Sequence, residues 1–237
     1  MFSITERGTL KAPYTSHLDL ENNKPNSVKI SVPRHDSHVV WLKQASPAGL
    51  DALQDISVDL DDGATLHCVI EQHLLNDAVL DQAITVSLGR NSTITLGVIT
   101  TGGKSVVSRM TAAFNQAHAH GDFYALSYLK KNSAVRYDFS AQHLIGNSTS
   151  NQTFKSIVAD NATSHHKTYV HVAKHAQETH TQQISSHVNL SKRAKAYSRP
   201  ELDILADNVK CNHGATIGQL SQTALFYLMT RGLTKKQ

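Results

Sequence analysis

Ile56-Ser57-Val58-Asp59-Leu60-Asp61-Asp62-Gly63-Ala64-Thr65-Leu66-His67-Cys68-Val69-Ile70 reads as strand, corner, strand. Apolar and polar residues alternate on either side of Asp61-Asp62-Gly63, the period-two pattern of a strand with one buried face. The three corner residues are turn formers, which interrupt that pattern. The same order of a polar corner, a small residue and a new β-type run returns at Arg90-Asn91-Ser92, Lys131-Asn132-Ser133, Asp160-Asn161-Ala162 and Lys192-Arg193-Ala194, with one extra corner at Gly121-Asp122. Runs rich in β-branched residues at 27–32, 38–42, 83–88, 92–99, 135–139 and 168–172 fill the intervals. Gaps of around thirty residues recur among the corners, the spacing that stacked coils of a solenoid produce. A β-sandwich also alternates strands with polar turns, so the rhythm alone leaves both architectures open. The connection 72–80 has room for a helical turn. Gly102-Gly103-Lys104-Ser105 lacks the upstream glycine of a phosphate loop and reads as a turn.

Composition fits this organisation. The 237 residues suit one elongated domain, divided into a β-rich core over 1–220 and a short helix and tail over 221–237. Ser221 is a plausible cap, Ala224, Leu225, Leu228 and Met229 line one side of the helix, and Gly232 ends it. Hydrophobic residues make up 40% and charged residues 18%, with aromatics at 6%, a balance that many short strands tolerate better than a helical bundle does. The net charge of +4 is small for this length. Its basic clusters, Lys192-Arg193-Ala194-Lys195 and Lys235-Lys236, carry no interleaved aromatics, so no nucleic-acid partner is expected. Cys68 and Cys211 are too few and too far apart for a disulfide framework, which favours a reducing compartment. Neither a signal-peptide run nor a stretch of about 18 apolar residues is present, so the expectation is a cytoplasmic protein without a membrane partner.

One segment concentrates chemistry: Lys210-Cys211-Asn212-His213-Gly214-Ala215-Thr216-Ile217-Gly218-Gln219-Leu220. At i and i+2 of a strand, Cys211 and His213 share a face, and Lys210 beside the thiol favours its thiolate form. Thiolate and imidazole together suit iron or the passing of a sulfur atom. The plainer reading of Cys211 is a small buried hydrophobe. An iron–sulfur cluster takes about four ligands, so two distant cysteines cannot hold one alone, and any cluster would be transient and shared with a partner chain. The fifteen histidines include His118 and His120, read as sharing a strand face, His165 and His166 on opposite faces, and a scatter at His171, His175 and His180. They read as surface or turn residues rather than a metal site. Asp59, Asp61 and Asp62 cluster, but a polar corner accounts for them. A β-solenoid enzyme acting on a carbohydrate or transferring an acyl group is the competing class, and it would need paired carboxylates or a catalytic histidine in a cleft.

From about Thr179 to Leu233 the chain resembles the SufD branch of the SufB/SufD family. The likeness is carried by Gln182-Gln183, by 189–194, by Arg199-Pro200-Glu201-Leu202, by the Lys210–Leu220 core and by the closing 224–233 segment. Residues 155–162 and the corner 60–66 resemble earlier steps of the family, and nothing before residue 50 is matched. The resemblance implies a right-handed parallel β-helix, acting as a non-catalytic scaffold in the SufBCD iron–sulfur assembly complex. It implies pairing with a SufB-like β-helix or a second copy, and assembly at the junction. There His213 is the residue implied to support cluster formation, with Cys211 as second candidate, Lys210 as a tuner of its charge, and Gly214, Ala215 and Thr216 completing the motif. Gly214 sides with SufD, where SufB tends to carry an acidic residue. The family's N-terminal helical region and most of its C-terminal helical region are missing, so contact with the SufC ATPase is not expected, and a degenerate paralogue that only pairs stays open. His187-Val188-Asn189-Leu190 replaces the usual apolar triplet.

Overall fold

The computed structural model describes residues 2–4, 14–19, 25–46, 49, 51–219 and 221–234. The strands follow one another as β1 (Phe2–Ile4), β2 (Tyr14–Asp19), β3 (Pro25–Val32), β4 (Ser37–Ser46), β5 (Asp51–Leu60), β6 (Thr65–Leu74), β7 (Val79–Leu88) and β8 (Thr93–Gly102). Then come β9 (Ser105–Phe114), β10 (His120–Leu129), β11 (Ala134–His143), β12 (Thr149–Val158), β13 (Thr163–Val172), β14 (His180–Asn189), β15 (Lys195–Ile204) and β16 (Lys210–Gln219), followed by the helix α1 (Gln222–Thr230).

Odd-numbered strands form one eight-stranded sheet and even-numbered strands a second, every pairing being parallel. The chain therefore crosses between sheets at every corner and returns to pair with itself one coil later. Registered partners such as Val79↔Ser105 and Thr163↔Lys195 put that coil at 26 to 32 residues. This is a parallel β-helix, not a sandwich, whose antiparallel meander would pair neighbours in sequence.

Alternate residues of each strand point into the space between the sheets and are buried, and like residues stack along the axis. One column of the odd sheet runs Val28, Ile56, Ile84, Met110 and Phe139. Its counterpart in the even sheet runs Leu42, Ile70, Val98, Ala125 and Phe154. Midway along, Phe123 and Phe139 lie 5.0 Å apart between ring centroids, and Phe139 and Phe154 lie 5.5 Å apart. Each such side chain contributes roughly 1.5–3 kcal/mol by its burial.

Corners stack as well. Gly63, Asn91, Lys131 and Asp160 adopt left-handed backbone, and the next small residue or the one after it, such as Ala64, Ser92 or Ala162, is buried under the turn. The Asp62 carboxylate accepts a hydrogen bond from the Arg90 backbone N–H at 2.8 Å and from Arg34 Nη2 at 2.6 Å. Those two donors hold it below the ordinary carboxylate value. Gly102, at φ +78°, closes β8 where any Cβ would meet the Leu74 carbonyl oxygen.

Two local expectations change. No helical turn forms over 72–80: β6 runs on to Leu74, and a four-residue corner with Ala78 buried leads into β7. Gln72 keeps the strand going because its side chain joins a buried hydrogen-bonded ladder. His118 and His120 do not share a strand face, because His118 occupies the left-handed corner position and only His120 enters β10. No helix among the described residues is long and apolar enough to cross a membrane.

Candidate functional site

Strand β16 is the edge of the even sheet and β15 the edge of the odd sheet, so both sheets stop unpaired at the same end of the solenoid. On β16, Cys211 stands over Thr181, His213 over Gln183, Ala215 over Ser185 and Ile217 over His187. In β14 those four partners are buried, each at 3% exposure or less. In β16, His213, Ala215 and Ile217 are exposed and Cys211 is half-buried. Residues on the inward-facing parity of β16 thus meet solvent because no further rung among the described residues covers them. Gly214 and Gly218, on the outward parity, have nothing near the position of a Cβ.

Cys211 and His213 do share one face of one strand. Burial pushes the Cys211 thiol up, the direction opposite to the one Lys210 favours; Lys210 sits on the other face of β16. Cys68 lies deep in the core at 2% exposure, and burial pushes its thiol up to about 12, which makes it a packing residue.

Polarity of the interior rises toward this end. In β14 every inward position is polar: Thr181, Gln183, Ser185, His187 and Asn189. A hydrogen-bonded chain runs below Cys211, from Thr181 to Ser150 at 3.0 Å, with Gln152 Nε2 donating to Ser150 at 2.8 Å. The His143 ring lies between Ser148 Oγ at 2.7 Å and Ser150 Oγ at 2.8 Å. Under Ile217, His187 Nδ1 meets Ser156 Oγ at 2.6 Å, and its ring stands edge-on to His166 with centroids 4.5 Å apart. Gln152 Oε1, both nitrogens of His166, His187 Nε2 and Asn189 Oδ1 have no hydrogen-bond partner among the described residues.

These inward histidines are what the sequence reading missed. His143, His166 and His187 were expected on the surface, yet each is at 2% exposure or less; His165 is on the opposite face from His166, as expected. A signal for the interior polar column did exist: Gln44 and Gln72, like Gln54 and Gln82, are separated by one coil length, and Thr100 continues the first series. Among the described residues no group of three or more His, Cys, Asp and Glu is placed to hold a metal ion. Of the acidic cluster, Asp59 pairs with Lys29 at 3.3 Å and Asp62 with Arg34, so those two carboxylates are held in surface ion pairs.

Fold and site together define a class: a parallel β-helix with a histidine and a cysteine on a last rung that no other strand among the described residues covers. The chain belongs to the SufBD core family, since the family model described as "SUF system FeS cluster assembly, SufBD core domain" matches residues 26–237. That match reaches upstream of residue 50, where the sequence alone offered no likeness. Among curated relatives, the iron–sulfur cluster assembly protein SufD of Escherichia coli is 36% identical over 95 residues, 40% of this chain and 22% of that protein. An iron–sulfur cluster assembly SufBD family protein of Synechocystis is 34% identical over 150 residues, 62% of this chain and 33% of the relative. The chloroplastic protein ABCI7 of Arabidopsis thaliana is 42% identical over 64 residues, 27% of this chain and 14% of that protein. The chain therefore spans a third or less of the length of each of these relatives.

Proposed function

We propose that this chain is a SufD-type, non-catalytic scaffold whose open end is completed by a second β-helix, SufB-like or another copy. The iron–sulfur cluster is its cargo, built transiently at the seam with donors from both chains. The observation that carries this reading is the uncovered last rung. His213, Ala215 and Ile217 occupy positions whose equivalents one coil earlier are buried, and the unpaired edges of β15 and β16 lie beside them. A strand edge with free N–H and C=O groups is a template for pairing with another chain. His213 is the lead residue because its imidazole is exposed in that seam, and imidazole is a competent iron ligand. Cys211 is second, as its thiol is half-buried and harder to ionise. Lys210 and the Gly214-Ala215-Thr216 step complete the proposed contact. Absence of side chains at Gly214 and Gly218, which nothing among the described residues requires, fits the close approach of another backbone.

The test is reconstitution with a SufB-like partner, ferrous iron and a sulfide source, followed by the visible absorbance of the assembled cluster. His213→Ala is expected to leave circular dichroism and co-elution with the partner intact while cutting cluster formation roughly tenfold or more, at least the scale on which loss of a group supporting a metal ligand acts. Unchanged cluster yield in that variant rejects the role of His213. Failure of the wild-type chain to co-elute with a β-helix partner or with itself rejects the scaffold reading.

A further inference from the structure

The two outer faces of the solenoid differ in a way that the open end does not explain. On the odd sheet, long-chain ion pairs cross from rung to rung: Lys29 with Asp59, Arg109 with Asp81, and Lys167 with Glu201. Among the described residues of its strands, only Leu53 and Tyr197 are large, apolar and exposed. No Lys or Arg ion pair with a carboxylate lies on the even strands among the described residues. Instead Trp41, Tyr124, Leu126, Tyr128, Ile157 and Ile184 stand exposed there. A contiguous apolar face of this kind on a β-sheet marks a surface covered in use.

Its centre is a groove of about 430 Å³ lined by Val69, Gly97, Ile99, Tyr124, Leu126 and Lys155, among others. Gly97 opens it, for a Cβ there would meet only Tyr124, at 4.0 Å. The groove lies on the middle of a registered column, Trp41, Val69, Gly97, Tyr124, Thr153 and Ile184, that runs along the solenoid axis across six strands; Val69, Gly97, Tyr124 and Thr153 line it. At about 4.8 Å per strand this column is about 24 Å long. A helix of about 16 residues has that length, and its 5.4 Å pitch nearly matches one rung. An extended strand finds no free backbone in the middle of a sheet, which leaves a helix as the element that fits.

Charge specifies the helix further. The carboxylates of this face are engaged: Glu71 with the Trp41 indole N–H at 3.0 Å and with His73, and Asp122 with Asn151 at 2.9 Å. The cations have no salt-bridge partner among the described residues. Lys43 lies over the Trp41 ring, Lys130 lies over the Tyr128 ring, and Lys155 is exposed beside Leu126. We propose that this face binds an amphipathic helix of a partner protein, its apolar side seated over Gly97 and its flanking carboxylates paired with Lys155, Lys130 and Lys43. Helix α1 of a second copy is a poorer occupant, because Gln222–Thr230 contains no acidic residue.

The chain carries one tryptophan, Trp41, and it stands on this face, so its fluorescence reports occupancy directly. The probes are two designed helical peptides with the same leucine spacing, one flanked by glutamates and one by lysines. Expected is saturable binding of the acidic peptide with a shift in Trp41 emission. Binding should weaken roughly tenfold or more in Lys155→Glu and in Gly97→Leu, and stay unchanged in Arg136→Glu on the opposite face. Should Gly97→Leu not fold, Lys155→Glu decides alone. Equal binding of the lysine-flanked peptide, a silent Trp41, or indifference to Lys155→Glu overturns the proposal. So does a dimer of the free protein that Lys155→Glu or Gly97→Leu dissociates, since the face would then belong to a second copy.

Discussion

His143, His166 and His187 are imidazoles placed where a proton is costly. Burial pulls His143 and His166 down to about 3 and His187 to about 4, from an ordinary 6.5. The folded state therefore resists protonation that the unfolded chain accepts, and the unfolded chain binds more protons between those values. Stability from these groups is fully present above about pH 6.5, declines as the pH falls, and levels off near the folded values. At pH 5 each histidine should remove roughly 2 kcal/mol relative to neutral pH. Urea midpoints at about pH 7.5 and pH 5 measure this, and His166→Phe should narrow the gap between them; a gap unaltered by that substitution counts against the assignment. These histidines were illegible because hydrophobic patterning assigns polar residues to solvent, and their parity becomes meaningful only once the register is known. Cys211 and His213 could be put on one face from spacing alone, and the partial burial that raises the Cys211 thiol agrees with its plainer reading as a small packed hydrophobe.

Elements were legible where the chain repeats itself. Corners at Gly63, Asn91, Lys131 and Asp160 carry turn residues for a physical reason, the left-handed backbone, and this punctuation shows in the sequence. Pairing was not: strands that alternate between two sheets look, in sequence, like strands that neighbour each other in one. What fixes the coils against one another includes a buried ladder. Gln44 Nε2 donates to Gln54 Oε1 at 2.7 Å, Gln72 Nε2 to Gln44 Oε1 at 2.8 Å and to Gln82 Oε1 at 3.2 Å, and Thr100 to Gln72 Oε1 at 2.6 Å. Gln82 in turn donates to Gln54. A one-residue slip would turn every one of these amides to the wrong face. Truncating Gln82 to Leu orphans buried partners and should destabilise by about 1–3 kcal/mol. Because Gln72 and Gln82 share the network, the double change to Leu should cost less than the sum of the singles. Strictly additive losses in urea unfolding would show that the ladder does not act as a unit.

At the scale of the molecule, a solenoid must be closed at its ends or left open for something else. Among the described residues the β16 end is open: the interior turns polar through β14, the β16 rung is uncovered, and two sheet edges finish side by side. The family match over residues 26–237 sets that geometry among SUF-system SufBD core domains, and the asymmetry of the two outer faces adds a second surface with its own chemistry. On the proposed function, the edge of β16 is a seam completed by another β-helix. Amide hydrogen exchange over Lys210–Gln219, recorded for the chain alone and with a SufB-like partner, tests it most directly. Rapid exchange is expected for the chain alone, and strong protection of the β16 amides in the complex, centred on His213. Protection that forms elsewhere while β16 continues to exchange freely would contradict it.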